Sequence, residues 1–253
     1  MILIGNVPAQ ADTLSNEYPA GSVERDIIGI LSASTEKYQY NSLDQLKFEL
    51  TLRREIINAA NELYMSRLSF KIFRDSMCNP AYWDRMGDGG FSLKNGVKPS
   101  DAIRDIYTHS ELYGTECATA MMIVYYRALL NTFPEDRFNE LFPQIYLMNW
   151  HRIDRLLKDV GLMKKAKDYL PGDRRYFANP DVNPLYPEWQ GENAIDLGHD
   201  LYYGHGVGRL DAETIISALN ANRTEGADQS AYLMDSAGRP DFKNLFALYS
   251  NTH

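Results

Sequence analysis

Thiols are scarce in this chain: among 253 residues there are two cysteines, Cys78 and Cys117. Cys117 follows the glycine-containing turn Gly114-Thr115-Glu116 and opens an apolar run over 118–126 that reads as a helix. A free thiol has a pKa of about 8.5, and a helix N-terminus lowers it by favouring the thiolate, the nucleophilic form. Adjacent Glu116 opposes this when ionised. The other reading of Cys117 is a small hydrophobe inside a buried helix. Cys78, in SMCNPAYW, lacks such a setting and reads as structural.

The histidines are His109, His151, His199, His205 and His253. Only His205 has a suggestive setting. It follows the β-prone 201–203 between Gly204 and Gly206, where the backbone can turn sharply and leave an imidazole at a strand end. A turn histidine without a chemical role fits the same pattern. His199, Asp200 and His205 do not have the spacing of a known metal motif such as HExxH. Gly204, Gly206 and Gly208 give GxGxG without the third glycine of a dinucleotide fingerprint, and neither GxxxxGK[ST] nor GxSxG occurs. No metal and no cofactor is expected.

The elements that must position these groups follow from composition and pattern. Lys and Arg total 26 against 34 Asp and Glu, a net charge of −8, which argues against the basic footprint of a nucleic-acid binder. A 44% hydrophobic, 24% charged composition is that of an ordinary globular protein. No apolar run reaches the roughly 20 residues of a membrane span, and MILIGNVPAQAD lacks the charged start of a signal peptide, so synthesis in the cytoplasm is expected. Two cysteines are too few for a disulfide framework or a four-thiolate zinc site. Residues 1–253 read as a single domain whose first forty residues are irregular. The spacing predicts a long helix over 42–65, with Ser42 and Gln45 in capping-box relation, and a loop or wide hairpin over 83–96. A helix from near Ser100 and a buried helix over 116–130 follow. Short β-prone pieces over 145–150, 175–177, 193–197 and 201–203 come next, then helices over 212–220 and 242–249. Helices first and strands afterwards make the expected class α+β.

Four segments in order, GTECATAMMIVYYRALL, PEWQGENAIDLG, LYYGHGVGRL and GADQSAYL, resemble the protein-glutamine γ-glutamyltransferases of bacterial spore coats. The likeness runs from about Asn41 to Phe246 and includes FELTLRREIINAA and PSDAIRDI. It implies an α+β core related to papain-like and NlpC/P60 cysteine enzymes. Cys117 would be the nucleophile, Glu192 and Glu116 carboxylates of the reaction centre, and His205 their neighbour. Phe70, Trp150, Tyr176 and Trp189 match aromatic positions that would line a substrate passage. The activity implied is calcium-independent: a thioester forms on the cysteine with loss of ammonia, then passes to a lysine as an isopeptide bond. Spore coat proteins would be the glutamine and lysine donors, and the spore coat the place of action. A cysteine amidase or peptidase of the same core, hydrolysing the thioester, is the alternative; a non-catalytic coat protein is a third reading.

Overall fold

The computed structural model describes residues 1–150 and 152–251; His151, Thr252 and His253 lie outside the described residues. The first forty residues are ordered, contrary to the expectation of an irregular segment. Strands β1 (Ile2–Ile4) and β2 (Val7–Pro8) pair antiparallel, helices α1 (Ala11–Ser15) and α2 (Val23–Ala33) follow, and β3 (Tyr38–Tyr40) returns parallel to β1. Ile2, Leu14, Ile27, Ile28, Leu31 and Tyr40 form a buried cluster with Leu46 and Leu50 of the next helix. Three-residue strands and a five-residue helix are too short for periodicity over 11–18 residues to register them.

Helix α3 (Leu43–Met65) begins where the capping residues indicate: the Gln45 N–H donates to Ser42 Oγ at 3.2 Å. The returning arm goes one residue further back, the Asn41 N–H donating to Gln45 Oε1 at 2.6 Å. After the two-residue strand β4 (Ser69–Phe70), strands β5 (Trp83–Arg85) and β6 (Phe91–Leu93) make the wide hairpin anticipated over 83–96. Helix α4 (Pro99–Thr108) starts with proline at its first position, where the missing N–H costs nothing. Strand β7 (Gly114–Thr115) then pairs parallel with β4, Ser69 opposite Gly114 and Phe70 opposite Thr115. That pairing delivers Phe70 to the start of α5 (Cys117–Thr132).

Apart from Cys117 and Arg127, residues 117–130 of α5 are buried, many fully, which is why its sequence is apolar on nearly every side. It is the centre of the main core, whose members include Phe48 and Ile56 of α3, Ile103 of α4 and Ile195 of the sheet. Helix α6 (Glu135–Leu141) and strand β8 (Tyr146–Leu147) lead to the principal sheet. That sheet consists of β9 (Arg174–Ala178), β10 (Gly191–Gly198), β11 (Leu201–Gly204), β12 (Gly208–Asp211) and, after helix α7 (Ala212–Asn220), β13 (Tyr232–Leu233). All its pairings are antiparallel, in the order β12-β11-β10-β9-β13, and α8 (Phe242–Ser250) closes the described chain. The α+β class is therefore as the sequence pattern indicates. His199 and Asp200, both at positive φ, turn β10 into β11, and His199 Nε2 lies 2.9 Å from Asp26 Oδ2.

A buried ion network ties α3 to the entry of β9. Arg53 Nη1 donates to Asp173 Oδ1 at 2.9 Å, and Arg239 Nη2 donates to Asp173 Oδ2 at 2.6 Å. Arg53 is 1% exposed and Asp173 wholly buried. Removing one member of such a pair costs about 3–5 kcal/mol, because the other is left as an uncompensated buried charge. The network fixes the backbone immediately before Arg174, the first residue of the strand that borders the reaction centre.

Candidate active site

Cys117 is the first residue of α5, as its sequence setting indicates, but the physical consequence differs from the one expected. The N-cap of the helix is Glu116, whose carboxylate accepts the N–H groups of Ala118 at 2.5 Å and Thr119 at 2.8 Å and also the Thr119 hydroxyl. The positive end of the helix is thus met by a carboxylate before it can act on the sulfur. Burial, then the charges of Glu192 and Glu116, push the Cys117 thiol up rather than down. Hydrogen bonding from the backbone N–H and side chain of Asn193 opposes them. Burial raises Glu116 as well, against the hydrogen bonds it accepts.

Glu192 is the second residue of β10 and is 4% exposed. Burial pushes its carboxyl up, to about 8; the Gly206 and His205 backbone pulls it down and the Glu116 charge adds to the rise. The Gly206 N–H donates to Glu192 Oε1 at 3.2 Å. Here the glycines of YGHG find their use, which is clearance rather than phosphate binding. A Cβ at Gly204 would stand 2.7 Å from Glu192 Oε1, and one at Gly206 would stand 3.1 Å from Oε2.

His205 lies in the turn between β11 and β12 with both ring nitrogens engaged. Nδ1 is 3.2 Å from the Tyr203 hydroxyl and Nε2 is 3.3 Å from the Ser69 carbonyl. Burial pulls the imidazole down to about 4, so it is neutral at physiological pH, donating to Ser69 and accepting from Tyr203. It adjoins the centre by holding the turn that carries Gly206 against β4.

Cys117 sits in a cleft of about 640 Å³ that Phe70, Trp150 and Tyr176 also line. Trp150 packs over the Arg174 guanidinium at 4.2 Å from the ring centroid. Trp189 is the exception among the four aromatics. It ends a short 3₁₀ turn and packs against the cluster of Phe177, Tyr202 and Ile215, while its neighbours Pro187, Glu188 and Gln190 line the cleft. Proximity to Glu192 in sequence does not set the direction of a side chain in a tight turn. Cys78 lies elsewhere, its Sγ 3.9 Å from the Trp83 carbonyl, with burial raising its thiol to about 11.

Two residues not singled out in the sequence belong to this site. Asn193 Nδ2 donates to Cys117 Sγ at 3.6 Å, and Arg174 Nη1 donates to Asn193 Oδ1 at 2.6 Å. The available signal was the pair Arg174-Arg175 in a β-prone run, since charge in a central strand is uncommon without a partner.

A cysteine opening a buried helix that packs on an antiparallel sheet is the core of a papain-like cysteine enzyme. The residue pattern that defines the family described as protein-glutamine gamma-glutamyltransferase matches residues 1–249, and the chain belongs to that family. It is 46% identical over 233 residues to a protein-glutamine gamma-glutamyltransferase of Bacillus mycoides (strain KBAB4), covering 92% of this chain and 83% of that one. The enzyme of the same name from Bacillus cereus (strain 03BB102) is 46% identical over 229 residues, 90% of this chain and 82% of the relative. A solved transglutaminase from Geobacillus stearothermophilus, without its C-terminal extension, superposes with a TM-score of 0.77 at 47% identity. That match covers 82% of this chain and 98% of the solved one.

Proposed function

We propose that Cys117 carries the acyl group and Glu192 moves the protons in the acyl transfer by which this family joins protein glutamine to protein lysine. The observation that carries the reading is a half-buried thiol that feels the charge of a buried carboxyl, beside an aromatic-walled cleft.

The first half-reaction begins with the carboxylate form of Glu192. It takes the thiol proton as sulfur attacks the glutamine carboxamide carbon, and returns it to the departing nitrogen, releasing ammonia and leaving a thioester. The lysine amine, with a reference pKa of about 10.4, is only about 0.04% neutral at pH 7 and needs a base. Glu192, ionised again, accepts the amine's proton as nitrogen attacks the thioester, and passes it to the leaving sulfur. An acid that must become a base within one cycle works best with a pKa near the working pH, and burial puts Glu192 there. Glu116 is committed to capping the helix and has fewer free lone pairs for the task.

Water competes with lysine for the thioester, so the passage must be narrow and apolar. Phe70, Trp150 and Tyr176 supply such walls. The resemblance supports a calcium-independent reaction, so activity should survive EDTA; inactivation reversed by added calcium would overturn that. The resemblance to the spore-coat enzymes supports coat proteins as the joined substrates and the spore coat as the site of action. The test is to incubate the purified protein with a glutamine-containing protein and a fluorescent primary amine. One ammonia released per amine joined supports the reading; ammonia release without joining means a hydrolase.

A further inference from the structure

Arg174 is 2% exposed, yet among the described residues no carboxylate compensates it. Its Nε donates to the Val160 carbonyl at 2.9 Å, its Nη1 to Asn193 Oδ1, and its face lies on Trp150. Nη2 has no hydrogen-bond partner among the described residues. The acidic groups that respond to its charge are Tyr125, Cys117 and Tyr176. Burial pulls the guanidinium down only to about 10, so it is a cation at working pH. A buried cation without a counter-ion is held against its own desolvation. The charge that can form beside it is a thiolate.

The intervening side chain has its orientation dictated. Arginine has only donors, so the Asn193 atom facing Nη1 at 2.6 Å is the carbonyl oxygen, and the amide N–H faces the sulfur. Antiparallel pairing of β9 with β10 sets this contact across the strands, with Asn193 opposite Tyr176 and Ile195 opposite Arg174.

We infer that Asn193 and Arg174 form a relay that stabilises the Cys117 thiolate, Asn193 as a catalytic residue donating to the sulfur and Arg174 as a positioning residue that holds the amide and supplies the balancing charge. The relay rests on Cys117 being the nucleophile and adds the groups that make its thiolate attainable. Without it the sulfur would face Glu116 from its own helix start, and Glu192 and Tyr176 from the sheet, with no positive charge among them.

The test is the rate of Cys117 alkylation by iodoacetamide from pH 6 up to the highest pH at which circular dichroism shows the fold intact, with the labelled peptide identified by mass spectrometry. Where a midpoint lies beyond that range, the rate at fixed pH reads the shift. Asn193→Ala and Arg174→Met should each move the alkylation midpoint up by one pH unit or more. One unit is about a tenfold loss of thiolate below the midpoint. Arg174→Lys keeps the charge without the planar fork, so its midpoint should shift less and its alkylation at pH 8 should still fall at least about threefold. A folded Asn193→Ala or Arg174→Met with the wild-type midpoint overturns the relay. Should those two fail to fold, Arg174→Lys with unchanged rate and midpoint does so. Wild type labelled elsewhere than Cys117 would instead remove the nucleophile on which the relay rests.

Discussion

Replacing Glu192 with Gln should slow catalysis about 10²- to 10⁴-fold and stabilise the fold, and the gain in stability should grow with pH. The side chain is 4% exposed, and burial holds its proton to about pH 8, against 4.5 for an exposed glutamate. Below pH 4.5 native and unfolded chains both carry that proton and the group contributes no pH dependence. Between 4.5 and 8 the unfolded chain is ionised and the native chain is not, so the native state binds more protons and stability falls as pH rises. Above pH 8 both are ionised and the penalty is constant. Between pH 5 and pH 8 wild type should lose about 3–4 kcal/mol that the Gln variant retains. Glutamine keeps an oxygen to accept the Gly206 N–H, so the local geometry survives. At about 2–4 °C per kcal/mol for a chain of this size, the Tm difference between variant and wild type should widen by about 7–14 °C over that range. Thermal unfolding at pH 5, 6, 7 and 8 measures it. Parallel Tm curves for the two proteins would refute a buried, protonated Glu192.

Three other outcomes follow from the same geometry. Acylation requires the carboxylate form of Glu192, so kcat/KM for the glutamine donor should rise with pH and level off near pH 8; a profile flat from pH 6 to 9 contradicts this. Glu192→Ala should cost about 10²- to 10⁴-fold in rate. Glu116→Ala should chiefly cost about 0.5–2 kcal/mol of stability through the lost cap, and a ranking reversed in kcat would reassign the acid/base role. Trp189→Ala should lower Tm while leaving the ratio of amine transfer to hydrolysis unchanged, whereas Trp150→Ala should raise hydrolysis; a changed ratio in the Trp189 variant would put that ring in the passage.

Much of the fold was legible because its long elements carry strong local signals. Ser42 with Gln45 marks α3, and the all-apolar run marks α5. The N-terminal forty residues were not, because four of their five elements are two to five residues long and their buried cluster packs non-locally onto Leu46 and Leu50 of α3. Cys117 and Glu192 could be read from motifs, and the structure brings them together. Asn193 and Arg174 could not, because their contact depends on the β9–β10 register across nineteen residues of chain. The thiol's setting was legible in part: the sequence shows that Glu116 opposes the thiolate, but only the structure shows that its carboxylate also occupies two of the helix-start N–H groups.

The central claim is that the acyl group resides on Cys117, and trapping the intermediate tests it most directly. A glutamine-containing peptide is mixed with the protein without any amine, the reaction is quenched in acid within its first turnover, and the digest is analysed by mass spectrometry. The account predicts that the peptide containing Cys117 gains the mass of the donor less one ammonia, that added amine discharges it, and that Cys117→Ala shows no adduct while Cys78→Ala does. An adduct on any other residue, or turnover by Cys117→Ala, would contradict it.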